Sequence, residues 1–197
     1  KYQFYDRRFG VFSTYTNASL LHCIRKRQRC RSAKKFSKIC YCGVGLLKFQ
    51  NLIVLGPLIY AIHHFEEHVL FNFREWRLKY FSDNNSISTE TILIILSSLL
   101  LVFIFFHLVK KNRASAHLIL FFLMTTQVVN ALFHIFFSFY YEDFSPGIIT
   151  GTLLYLPINF LIIQAAFKEG HIRSKIELCI IFFLGVSTFA LFEIIGP

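Results

Sequence analysis

Residues 63–68 read His-His-Phe-Glu-Glu-His and close an apolar run that begins near Leu52. Imidazoles and carboxylates gathered on one helical face can bind a first-row metal or, without one, exchange protons. At about 100° per residue, His63, Glu66 and Glu67 fall within an arc of roughly 100°, so one helix presents all three together. His64 and His68 share the adjacent face as supporting or interfacial groups. A second set, Gln127, Asn130 and His134, spans an arc of roughly 60° on a separate apolar stretch. Together they predict a site in which His63, Glu66, Glu67 and His134 hold a divalent metal such as iron, manganese or zinc. Glu66 and Glu67 would also serve as acid/base groups, and Asn130 as a catalytic positioning group. A metal there would neutralise the glutamate pair, acidify a bound water or, as iron, activate oxygen.

The elements that must position these groups are membrane spans. The 197 residues are 55 % apolar and 18 % aromatic, with 25 Phe and a mean hydropathy of +0.52. Such values lie well beyond ordinary soluble domains and predict an all-α polytopic transmembrane bundle. Five spans are expected: from about Leu52 into the His/Glu cluster, Ile92–Val109, His117 to about Phe139, about Ile148 to Phe167, and about Ile176 to Ile195. Gly56-Pro57 and Pro157 should interrupt the first and fourth. The stretch from about Asn72 to Thr89 reads as a polar loop with a turn at Asp83-Asn84-Asn85-Ser86.

Charge divides the chain into two expected domains. Residues 1–50 carry twelve Lys and Arg against one acid, whereas residues 51–197 carry nine against ten. Eight of the fourteen residues from Arg25 to Lys38 are basic. Because that run leads into membrane spans, with no base-stacking or groove-reading motif beside it, attraction to anionic headgroups outweighs nucleic-acid binding. The five cysteines show no paired CxxC spacing and read as free thiols. Basic residues in the N-terminal segment and in the 110–113 and 168–175 loops fall on one side, which predicts a cytoplasmic N-terminus.

Depth ties the polar groups together. At about 1.5 Å per residue, His63 to Glu67 lie roughly 18–24 Å into the bilayer and Asn130 with His134 roughly 20–26 Å, on the same side. Thr150 and Glu193 come to that layer from the fourth and fifth spans. Carboxylates there cost about 2.5–3.5 kcal/mol each on insertion scales and need partners. The residues alone leave three uses open: a metal or catalytic site, proton or ion handling, and capping at the headgroup boundary.

Three motifs in order extend this reading. His63-His-Phe-Glu66-Glu67, Asn130-Ala-Leu-Phe-His134 and Phe144-Ser-Pro146-Gly147-Ile-Ile-Thr150 resemble the HxxEE, NxxxH and YxPGxxT motifs of the HXXEE family of small integral membrane proteins. The resemblance spans residues 52–195. Phe144 replaces the tyrosine of the third motif, so any role for its hydroxyl is lost or moved to Tyr140 or Tyr141. The resemblance implies an integral membrane enzyme without specifying its reaction. The resulting expectation is a metal-dependent membrane enzyme acting on a lipid or other apolar substrate, with Pro146, Gly147 and Thr150 shaping the site. The rivals are a proton- or ion-handling transporter and a non-catalytic membrane scaffold.

Overall fold

The computed structural model describes residues 48–81 and 88–195, with side chains as far as residue 192. The basic segment expected over residues 1–50, apart from its last three residues, the 83–86 turn and the side chain of Glu193 lie outside these. Among the described residues the fold is entirely helical. Six helices are present: α1 (residues 49–70), α2 (Phe73–Tyr80), α3 (Thr89–Lys110), α4 (Arg113–Tyr140), α5 (Ile148–Lys168) and α6 (Lys175–Ile195). Four of them, α3 to α6, are long and apolar enough to cross a membrane. The first expected span is α1, a run of comparable length broken at Val54.

Each interruption has a local cause. Pro57 has no N–H and its ring crowds the carbonyl of Ile53, and the helix resets at Val54 between Phe49–Ile53 and Leu55–Phe65. Pro157 does the same to α5, yet that helix continues because a wide π-helical turn, Gly151–Tyr155, precedes the proline and loosens the backbone. Two more π-helical turns occur, at Glu66–Leu70 in α1 and at Met124–Val129 in α4.

Caps fix where the helices begin. Asn72, Ser88 and Asn112 accept from the backbone N–H of Glu75, Thr91 and Ser115. The Asn72 cap is the signal for α2, a helix in the stretch expected to be a loop. Its FREWRLKY sequence buries Trp76 and leaves Arg74 and Lys79 exposed.

α4 is the central helix. Half of its most apolar window is buried, against 17 % in α3 and 11 % in α6, whose outer faces carry exposed Ile94, Leu101 and Phe105, and Ile176, Ile180 and Phe183. Such faces suit lipid contact. Where helices cross, small residues let backbones approach. A Cβ on Gly185 of α6 would stand 3.2 Å from Met124 Cβ, and one on Gly151 of α5 would stand 3.3 Å from Ala131 Cα. A larger apolar core, including Phe49, Ile53, Leu100, Ile119, Leu123 and Ile162, fills one half of the bundle. A smaller cluster of Ile59, Tyr60, Ala131 and Tyr155 underlies the His/Glu residues in the other.

Candidate functional site

His63 and Glu67 are four residues apart on α1, and His134 approaches them from α4. Glu67 Oε1 lies 3.2 Å from His63 Nε2 and 2.8 Å from His134 Nε2. All three residues are buried, and their donor atoms lie within 4.8 Å of one another.

The opposite nitrogen of each ring is held by a hydroxyl. His63 Nδ1 meets Thr150 Oγ1 at 2.7 Å, and His134 Nδ1 meets Ser145 Oγ at 2.9 Å. The Asn130 amide donates to His63 Nε2 at 2.9 Å, which makes that nitrogen an acceptor and puts the proton of His63 on Nδ1. The Ser145 N–H in turn donates to Ser138 Oγ, anchoring the loop that carries the serine. Outer hydroxyl partners of this kind are what orient metal-ligating imidazoles.

His134 Nε2 is buried and faces Glu67 Oε1 at 2.8 Å, so a proton on Nε2 would be shared with that carboxylate. In the other tautomer, with the His134 proton on Nδ1 and donated to Ser145, three lone-pair atoms would converge: His63 Nε2, His134 Nε2 and Glu67 Oε1. Such an arrangement is unfavourable unless a cation or a proton is shared among them.

Glu66 behaves differently from its neighbour. Its carboxylate accepts from the backbone N–H groups of Gly147 and Ile149, each at 3.1 Å, and of Thr150 at 2.7 Å. It therefore caps the start of α5, where orphan donors and the helix dipole favour an anion. The expected four-residue ligand set thus meets as three residues, with Glu66 turned away to tie α1 to α5.

Gly147 sits directly beneath the cluster. Its φ of +98° belongs to the left-handed region, and a Cβ there would stand 2.9 Å from His63 Cε1 and 3.0 Å from both Glu67 Cγ and His134 Cε1. Only glycine meets both demands. Pro146 is buried beside it, and Thr150 follows one helical turn later.

Other expected groups divide between the site and its surroundings. His64 and His68 stack on the adjacent face with ring centres 4.3 Å apart, and His68 Nε2 is 3.6 Å from Glu67 Oε2. Gln127 does not reach the site: it donates to the Gly56 carbonyl and accepts from Asn159. Tyr140 is exposed and Tyr141 stacks on Tyr80, while Phe144 packs near Phe71. Three contributors escape sequence reasoning. Ser145 occupies a variable position of its motif, Tyr155 lies against the His63 ring at 4.3 Å, and Phe73 brings α2 within 5.3 Å of the His134 ring.

A cavity of about 310 Å³ reaches Glu67 and Asn130 from beneath α2. Of the cluster only Glu67 lines this space, whereas His63 and His134 lie behind it.

A family described as "Protein of unknown function with HXXEE motif" matches residues 54–162, more than half of the chain. No characterised protein and no solved structure gives a significant match.

Proposed function

The chain belongs to the HXXEE family, and from that premise we propose that it is an integral membrane enzyme acting through a metal ion held by His63, Glu67 and His134. The observation that carries this reading is the meeting of three possible ligand atoms, from His63, Glu67 and His134, within 4.8 Å of one another at a buried point. Ligands about 2.0–2.1 Å from a tetrahedral zinc stand about 3.3 Å apart, close to the 3.2 Å and 2.8 Å between Glu67 Oε1 and the two imidazole nitrogens. Two imidazoles, each held on its far nitrogen by a hydroxyl, and one carboxylate form a donor set for iron, manganese or zinc with positions left for water or substrate. Glu66, engaged by three backbone donors, supports the frame. Asn130 is the group placed to orient a substrate or, by turning its amide, to present its oxygen to the ion.

An ion at this point supplies an acidified water or, as iron, a redox centre, so its identity separates a hydrolase from an oxidoreductase. The cavity beside Glu67 and the surrounding apolar helices support a lipid or other apolar substrate. The distribution of Lys and Arg supports a cytoplasmic N-terminus, with the site in the opposite leaflet.

Conduction across the bundle is less well supported. Deeper than His63, the polar side chains that link helices are amides: Asn159 donates to Gln127 and to the Tyr155 carbonyl, and Gln127 donates to Gly56, while the Thr125 and Thr126 hydroxyls donate back into their own helix. Amides do not titrate, and Leu123 and Ile162 are fully buried nearby. This arrangement suits local chemistry better than a proton relay.

The test is elemental analysis of detergent-purified protein expressed with metals supplied. Wild type should hold close to one iron, manganese or zinc per chain, lost in folded Glu67→Gln and His134→Ala but kept in His107→Ala. A wild-type protein without metal would sink the proposal.

A further inference from the structure

The cavity next to the His/Glu cluster has an uneven lining. At its mouth α2 supplies Arg74 and Arg77, exposed and half-buried respectively. Glu67 and Asn130 form part of one wall. The rest of the lining sets His64, His68 and four threonines among apolar groups, chiefly Leu96 of α3, Phe121 and Phe122 of α4, and Phe189 and Phe192 of α6. Lining residues on α4 run from Phe121 to Phe133, about 18 Å at 1.5 Å per residue, so the space is elongated along that helix. Its 310 Å³ equals about ten water-sized volumes, which suits one flexible chain better than two.

The cationic end is held in place. Trp76 packs between Phe73 and Phe133, and Tyr80 stacks on Tyr141 at 4.0 Å, so α2 is fastened to the end of α4. Guanidinium groups recognise carboxylate and phosphate through paired hydrogen bonds, and arginine suits a boundary where its stem lies in lipid and its head in water.

We propose that this cavity binds a single-chain amphiphile carrying an anionic carboxylate or phosphate, with the anion at Arg74 and Arg77 and the chain lying between α3, α4 and α6. The part of the ligand nearest its headgroup then passes Glu67 and Asn130. This names the substrate class for the enzyme proposed above and rests on that reading for the reaction, though not for binding.

Full-length protein in phosphatidylcholine nanodiscs should be titrated with radiolabelled oleate, oleoyl lysophosphatidic acid and neutral mono-olein. At least one of the two anions should bind saturably, near one per chain, and mono-olein at least tenfold more weakly. Oleate against lysophosphatidic acid decides between carboxylate and phosphate. The Arg74→Gln/Arg77→Gln double variant should lose at least tenfold in affinity, and Arg74→Lys/Arg77→Lys should recover part of it. Thr126→Phe, which fills the cavity from α4, should abolish saturable binding, with thermal unfolding confirming that each variant is folded. Equal binding of mono-olein, or anion binding indifferent to both the double glutamine variant and Thr126→Phe, overturns the proposal.

His134→Ala separates the two readings, since it should lose metal while still binding the amphiphile. Binding to a wild-type protein that holds no metal would leave this inference standing and remove the enzyme reading. Metal without saturable anion binding would do the reverse.

Discussion

The two ends of the bundle contain nearly the same parts and use them differently. At one end His134 is fully buried, with Ser145 Oγ on Nδ1 and no hydrogen bond on Nε2. At the other, His107 is fully buried with Ser115 Oγ on Nδ1 at 2.8 Å, again with no hydrogen bond on Nε2. Glutamates stand nearby in both places. Around His107, however, the ring meets the edges of Phe49 at 5.1 Å and His171 at 5.4 Å, and the carboxylates are engaged elsewhere. Glu169 accepts from the Phe49 N–H at 2.7 Å, and Glu177 pairs with Arg113 and accepts from the Arg173 N–H. At the His134 end Glu66 takes up the backbone donors and Glu67 is left facing the imidazoles. A buried histidine oriented by a serine is thus packing at one end and a candidate ligand at the other, and the neighbouring carboxylate makes the difference.

The largest test of that contrast uses the two left-handed glycines. Gly147→Ala combines backbone strain of about 1–2 kcal/mol with three contacts at or under 3.0 Å against the cluster. It should lower stability by several times the cost of Gly170→Ala, whose φ is +78° but whose Cβ would meet nothing within 4 Å. Thermal unfolding in one detergent measures both. Equal losses would mean that the turn can move away from the imidazoles.

Serine substitutions give a smaller and more specific effect. Ser145→Ala removes the partner that orients His134 and should weaken metal binding by about 10–100-fold. Ser115→Ala should leave metal affinity unchanged and cost about 0.5–1.5 kcal/mol of stability. If both variants bound metal like wild type, the resemblance of the two ends would extend to function, and the site would lose its distinction.

The smallest effect concerns pH at the His134 end. The Tyr80 hydroxyl, and then Lys79, hold Asp143 below the usual carboxylate range, at 2.7 Å and 2.9 Å from its Oδ2. A carboxyl with a depressed folded pKa adds stability above its unfolded value of about 3.9, and that contribution fades as pH falls through the folded one. Acidification below about pH 4 should therefore loosen α2 and shift the emission of Trp76, the one tryptophan in the chain. Asp143→Asn should show the shifted emission already at neutral pH. An unchanged spectrum in both cases would show that the aromatic contacts alone hold α2.

The spans were legible because lipid imposes a length and an apolar character that composition reveals directly. Bringing His63 and Glu67 together with Asn130 and His134 was also legible, since depth counted along two spans places them in one layer. Three features were not. Helical periodicity put Glu66, Glu67 and Gln127 on inward faces, and all three are buried, but it could not show that Glu66 and Gln127 would be taken up by backbone partners of neighbouring segments. α2 was hidden because an eight-residue helix with four charged residues lacks the hydropathy that marks a span. Ser145 was missed because hydroxyls satisfy histidines in any fold, and only the tertiary turn shows which one it reaches.

Each of the three helices that build the site contains one of those wide turns: at Glu66–Leu70, just before Asn130, and just after Thr150. A wide turn absorbs one residue beyond what a regular helix needs for the same path. In a uniform helix, removing a residue swings everything beyond it by about 100°. In these three the surplus residue is already set apart, so the chain can shorten there while the rest of the span keeps its face toward its neighbours. The helices that carry the His/Glu cluster are therefore the ones in which a one-codon deletion is least disruptive to the bundle.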